Sequence, residues 1–179
     1  MAIRFLTTVC VFVLPMLATA ADVQVEEIRL TQVPDAARMA ASKVAPEFRW
    51  TTATKLSKQE GSIRLWYKLL GSQVLVPGRQ RILSDGDVEE TPAVLRWVQV
   101  RVTPEGEVID VWLGIENSDV PAAVRAALQR EMPGAEPVVS REVRFGTSTK
   151  VAFYRLLVEA RNGNFTFNIS PDGSKLERE

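Results

Sequence analysis

Ile28-x-x-Thr31-x-Val33-Pro34-x-Ala36-x-Arg38-x-Ala40, closing at Pro46, returns 87 positions later. There it reads Ile115-x-x-Ser118-x-Val120-Pro121-x-Ala123-x-Arg125-x-Ala127, closing at Pro133. The same offset carries Tyr67-Lys68-Leu69-Leu70 onto Tyr154-Arg155-Leu156-Leu157. One offset shared by two separate stretches is the mark of a duplicated structural unit.

Each copy begins as a helix. Thr31 and Ser118 are hydroxyl residues suited to capping, because they can accept a bond from an orphan backbone N–H. Pro34 and Pro121 fall in the first turn, where a missing N–H costs little. Val120, Val124, Ala127 and Leu128 recur at helical spacing and make one apolar stripe. The matching stripe of the first copy is Val33, Ala37, Ala40, Ala41 and Val44, smaller throughout. Pro46 and Pro133 stop the helices, and Gly134 helps the second exit.

Beyond each helix the apolar period becomes two, the period of strands. Strands are expected at 50–56, 63–70, 95–103 and 108–113, then at 138–145, 150–159, 165–170 and 175–177. Pro104-Glu105-Gly106 and Pro171-Asp172-Gly173 read as hairpin turns. The expected fold is therefore α+β: two tandem units, each one helix followed by a four-stranded antiparallel sheet. The offset falls to 67 at the last two strands, which leaves about twenty extra residues in the first unit, within 71–94. In that insertion, 73–83 is expected to project as a hairpin and 84–90 to form an acidic turn. It reads either as a binding loop or as a tolerated surface loop. The expected boundaries are 1–20, 21–113 and 114–179.

The first twenty residues are set apart. Arg4, an apolar run over 5–17 and Ala18-Thr19-Ala20 make a secretory signal, cut after Ala20, too short to span a bilayer. Cys10 lies inside this run, ahead of most of it, which is the wrong place for a lipid-bearing cysteine. The mature chain is expected in the periplasm or outside the cell, not spanning a membrane. It lacks cysteine, so it has no disulfides.

Lysine plus arginine and aspartate plus glutamate both number 22, and no stretch concentrates the basic residues. A nucleic-acid surface is not expected. The chain has no histidine. Serine–histidine and cysteine–histidine nucleophiles are excluded, as are the usual metal ligands. Chemistry built on carboxylates or lysine stays open, but no catalytic residue, metal ligand or cofactor is assigned, and the expectation is a protein without enzymatic activity.

Val120-Pro121-Ala122-Ala123-Val124-Arg125-Ala126-Ala127-Leu128, Met132-Pro133-Gly134-Ala135, Tyr154-Arg155-Leu156 and Pro171-Asp172-Gly173-Ser174 together resemble a PepSY-like domain. The resemblance is to the group described as similar to the beta-lactamase inhibitor protein. It covers roughly 115–178 well and 28–113 less well. Met132 stands where the family often has an aromatic, and Ala45-Pro46-Glu47 replaces Pro-Gly-Ala in the first copy. The resemblance implies exported proteins, often in tandem copies, some of which inhibit hydrolases through a sheet face. It carries over no binding residue.

Strand parity locates a candidate face. Leu65, Tyr67 and Leu69 point one way, and Arg64, Trp66 and Lys68 the other. Val98, Val100 and Val102 suit the core, against Trp97, Gln99 and Arg101. Ile109, Val111 and Leu113 are expected inside, against Val108, Asp110 and Trp112. Phe153 and Arg155 take the places of Trp66 and Lys68 in the second unit, with Asn164, Thr166 and Asn168 beside them. Partner-binding candidates are Trp66, Lys68, Trp97, Arg101, Trp112, Phe153 and Arg155, since aromatics with arginine are typical of interface anchors. The expected partner is a protein, with an envelope or secreted hydrolase as the class to inhibit or modulate. The competing reading has these tryptophans packing on one another, on the other unit or on the insertion. Trp50 is assigned to packing.

A second reading makes the chain a periplasmic small-ligand or calcium-responsive protein, through Asp85, Asp87, Glu89 and Glu90. Their spacing does not match an EF-hand, and a solvated acidic turn is the favoured reading of these four residues. Glu26-Glu27 and Glu89-Glu90 point to opposite faces as strand neighbours and make poor acid–base pairs. The two Asn-x-Ser/Thr patterns at Asn164 and Asn168 lie in an expected strand.

Overall fold

The structure, a computed structural model, describes residues 23–60, 62–82, 88–161 and 163–179. The segment expected as a secretory signal lies outside these. The strands are β1 (Val23–Ile28), β2 (Arg49–Glu60), β3 (Ser62–Val76), β4 (Arg79–Ile82), β5 (Val88–Thr91), β6 (Val94–Val102) and β7 (Val108–Ile115), then β8 (Pro137–Phe145), β9 (Phe153–Ala160), β10 (Gly163–Ile169) and β11 (Leu176–Arg178). The helices are α1 (Asp35–Val44) and α2 (Ala122–Glu131), each preceded by a short 3-10 turn.

Nine strands form one sheet in the order β1-β2-β3-β6-β7-β8-β9-β10-β11, and β4 and β5 pair separately. Every pairing is antiparallel. This corrects the expectation of two helix-plus-four-strand units with separate sheets. β7 bonds to β6 on one side and to β8 on the other, with Asp110 opposite Phe145 and Ile115 opposite Ser140. Hydrogen bonding therefore runs unbroken from β1 to β11, because an edge strand with free N–H and C=O groups is a template for another strand.

Both helices lie on one face. α1 buries Ala37 and Ala41 over Tyr67, Leu69, Val98, Val100 and Val102. α2 buries Val124, Ala127 and Leu128 over Tyr154, Leu156, Val158, Phe167 and Ile169. Each fully buried Leu, Ile or Phe contributes about 1.5–3 kcal/mol. A polar seam lies between the clusters: Arg144 is ion-paired to Glu142, and the Ser140 hydroxyl donates to Asn117 at 2.6 Å. The two glycine turns set the helices against the sheet. Gly106 (φ +91°) abuts the carbonyl of Ala36, and Gly173 (φ +70°) abuts that of Ala123, so a Cβ at either would strike backbone.

Local corrections follow from geometry. The helix caps are Pro34 and Pro121, without a side-chain bond; Thr31 and Ser118 lie inside the 3-10 turns. β3 continues to Val76, so the projecting hairpin is β4–β5 rather than 73–83. A bulge between Arg101 and Val102 sets Val102 opposite Val108. Val108 is consequently buried in the α1 cluster, while Ile109 is 37% exposed, the reverse of the expected parity. Trp50 does pack against the α1 cluster, and its indole N–H donates to Ser42 at 3.1 Å.

Candidate functional site: the open face of the sheet

Among the described residues no helix covers the opposite face, and its side chains follow from the register. Trp66 and Lys68 stand on β3; Trp97, Gln99 and Arg101 on β6; Asp110, Trp112 and Gly114 on β7. β8 adds Val139, Arg141, Val143 and Phe145; β9 adds Phe153, Arg155 and Leu157; β10 adds Thr166 and Asn168.

The register separates the seven candidates into three groups. Trp97, Trp112, Phe153 and Arg155 come together. The Trp112 and Phe153 rings meet edge-on, 6.4 Å between centroids at 87°, and Phe145 sits 6.0 Å beyond Phe153. The Arg155 guanidinium lies 5.2 Å from the Trp112 ring centroid. Trp66 and Lys68 belong elsewhere. Trp97 is opposite Ser72, six positions along β3 from Trp66, a separation of roughly 20 Å. Arg101 is taken internally: its Nε donates to both oxygens of Asp110 at 2.9 Å, and its Nη2 pairs with the same carboxylate. Asp110 is 1% exposed and Arg101 36%. The hydrogen bond to Asp110, opposed by burial, raises the Arg101 pKa above its ordinary value.

Gly114 makes the aromatic cluster possible. It lies between Trp97 and Arg141, and a Cβ there would stand 2.6 Å from the indole nitrogen of Trp97. The missing side chain lets Trp97 lie across β7, where its ring meets the Arg141 guanidinium at 4.7 Å. Arg141 directly opposes Arg155 across β8 and β9. Burial, then the positive charge of Arg155, lowers the Arg141 pKa. Arg155 is ion-paired to Glu179, which also accepts from Asn168 at 2.8 Å. Arg141 has no acidic partner among the described residues, and its Nε–H and the indole N–H of Trp112 are buried without an acceptor. A depression of about 370 Å³ opens here, lined by Gln99, Trp112, Arg141, Arg155, Leu157 and Thr166 among others.

Arg141, Phe145 and Gly114 escaped the sequence reading. The alternation Val139-x-Arg141-x-Val143-x-Phe145 could have found two of them, had parity been assigned to that strand. Gly114 carries no such signal, since its role depends on a ring from the neighbouring strand.

For the calcium reading, Asp85 and Asp87 lie outside the described residues, as does the Glu89 side chain. Glu90 accepts from Gln80 at 2.6 Å across the β4–β5 pair. Among the described residues no group of three or more Asp, Glu, His or Cys is placed to hold a metal ion, and no helix is long and apolar enough to cross a membrane.

No family model and no curated protein matches the chain. Solved structures do. A BLIP-like protein of Bacteroides fragilis aligns with TM-score 0.51 and 14% identity, over 82% of this chain and 85% of that one. A candidate periplasmic protein of Bacteroides eggerthii aligns with TM-score 0.50 and 16% identity, over 82% and 88%. A DUF2874 family protein of Bacteroides uniformis aligns with TM-score 0.50 and 15% identity, over 81% and 88%. The fold is BLIP-like. At these identities the likeness concerns the fold alone.

Proposed function

We propose that this chain is an exported protein-binding module, without enzymatic activity, that docks a partner on its open sheet face. The observation that carries the reading is the uncovered cluster of Trp97, Trp112, Phe145 and Phe153 interleaved with Arg141 and Arg155. Large rigid rings stacked with guanidinium groups bury much area at small entropic cost, as interface anchors do. The PepSY-like resemblance of 115–178 supports the same reading, and a BLIP-like fold agrees with it. The finer proposal is that the partner is an envelope or secreted hydrolase and that docking modulates it. Export to the periplasm or beyond rests on Arg4, the apolar run 5–17 and Ala18-Thr19-Ala20.

The test is affinity capture from envelope and secreted fractions of the source cells, with residues 21–179 as bait and a folded Trp97→Ala/Trp112→Ala version alongside. A protein retained only by the native face supports the module and names its target, and its hydrolase activity is then assayed with and without the chain. A protein retained equally by both baits contradicts the assignment of this face.

A further inference from the structure

We propose that Arg141, with Arg155 beside it, receives the carboxylate of an acidic side chain on the docked protein; this rests on the docking reading above and names the chemistry of its centre. Three observations converge. Two guanidinium groups stand directly opposite on adjacent strands, where like charges disfavour pairing. Arg155 is balanced by Glu179, whereas Arg141 has no acid among the described residues. The Nε–H of Arg141 and the N–H of Trp112 are buried without acceptors, and both residues border the same depression, Trp112 lining it with Gln99 and Thr166. A guanidinium held without a counter-ion is costly, and Arg141 lines the depression, so an anion that meets it there gains affinity.

The occupant is anionic because the unmatched groups that line the depression, Arg141 and Trp112, are donors and one is a cation; the unmatched Oδ1 of Asn168 belongs to a residue outside that lining. It is small and planar because a guanidinium matches a carboxylate in a fork geometry. Its neighbours on the partner are apolar, because Val139 and Leu157 flank the arginines and the aromatic rings border them. A free carboxylate in this shallow site would stay largely in water. One projecting from a protein surface would be sealed by the surrounding rings, where a charge pair is strengthened. The chain is neutral overall, so the excess positive charge is a property of this spot and not of bulk composition.

The probes are acetyl-Gly-Leu-Glu-Leu-Gly-amide, its Gln counterpart and free glutarate, titrated into the full secreted chain with NMR detection of the Trp112 indole and Arg141 Nε protons. The account expects the Glu peptide to shift both signals and to bind about ten-fold more tightly than the Gln peptide, with the difference shrinking as salt is raised. Arg141→Gln should remove that difference. Gln99→Glu, which places a carboxylate inside the depression, should also abolish binding while raising the unfolding midpoint, so the result does not depend on one variant's folding. Equal affinity of the two peptides, or no shift at Arg141, overturns the inference. Glutarate binding as tightly as the Glu peptide overturns the protein source in favour of a small carboxylate. A captured partner that is lost by Trp97→Ala/Trp112→Ala yet binds Arg141→Gln undiminished overturns the carboxylate inference and leaves the docking face standing.

Discussion

Arg101 and Arg141 sit on the same sheet face two strands apart, and they are used in opposite ways. Arg101 faces Asp110 and closes a bidentate pair with it. Arg141 faces Arg155 across one strand and Gly114 across the other, and the Trp97 ring lies over it. The first arginine is a structural clasp between β6 and β7. The second is held in place by stacking, and its Nε–H has no acceptor among the described residues. Residue type and face alone therefore do not identify a contact residue; what lies in register beside it does. Arg101, a candidate from the sequence, is paired within the sheet, and Arg141, which was passed over, is the arginine that the proposed docking face relies on.

The largest effect expected from this contrast is at the clasp. Arg101→Ala leaves the Asp110 carboxylate buried and uncompensated, and should lower the free energy of unfolding by about 3–5 kcal/mol in urea titration. A loss under about 1 kcal/mol would mean that the pair is not a clasp. Next comes Gly114→Ala. The added methyl must displace the Trp97 indole, with a cost of about 1–3 kcal/mol and a change in tryptophan fluorescence as the ring leaves Arg141. An unchanged spectrum would show that Trp97 does not depend on that gap. The smallest effect is at Arg141 itself. Arg141→Gln relieves the repulsion with Arg155 and an unmatched donor but gives up the stacking on Trp97, and these opposing effects should leave stability within about 1 kcal/mol of the native value. A loss approaching that of Arg101→Ala would erase the distinction between the two arginines.

Much of this was legible in the sequence, and the failures have physical causes. The helices and most strands follow from apolar spacing and from the proline and glycine stops, because burial on one face writes its period into the chain. Tyr67, Leu69, Val98 and Val100 are buried and Trp66, Trp97 and Trp112 oppose them, as parity required. Strand β1 was missed because Val23 to Glu27 are all exposed; backbone pairing with β2 holds it, and pairing has no side-chain signature. The joining of strands into one nine-stranded sheet was missed for the same reason, since the β7–β8 seam is made of backbone bonds. Val108 and Ile109 were exchanged because one bulge reverses parity beyond it. The candidate face was half legible: Trp97, Trp112, Phe153 and Arg155 were named, but their grouping, and the separation of Trp66 and Lys68 from them, required the register.

The central claim is that the open face carries the protein's function, and it is tested most directly by an affinity. The partner captured from the source cells would be titrated against the native chain and the Trp97→Ala/Trp112→Ala variant by surface plasmon resonance, with both confirmed as folded. The account predicts a loss of about 100-fold or more, as for two central anchors. Equal affinities would contradict it and place the interaction elsewhere on the molecule.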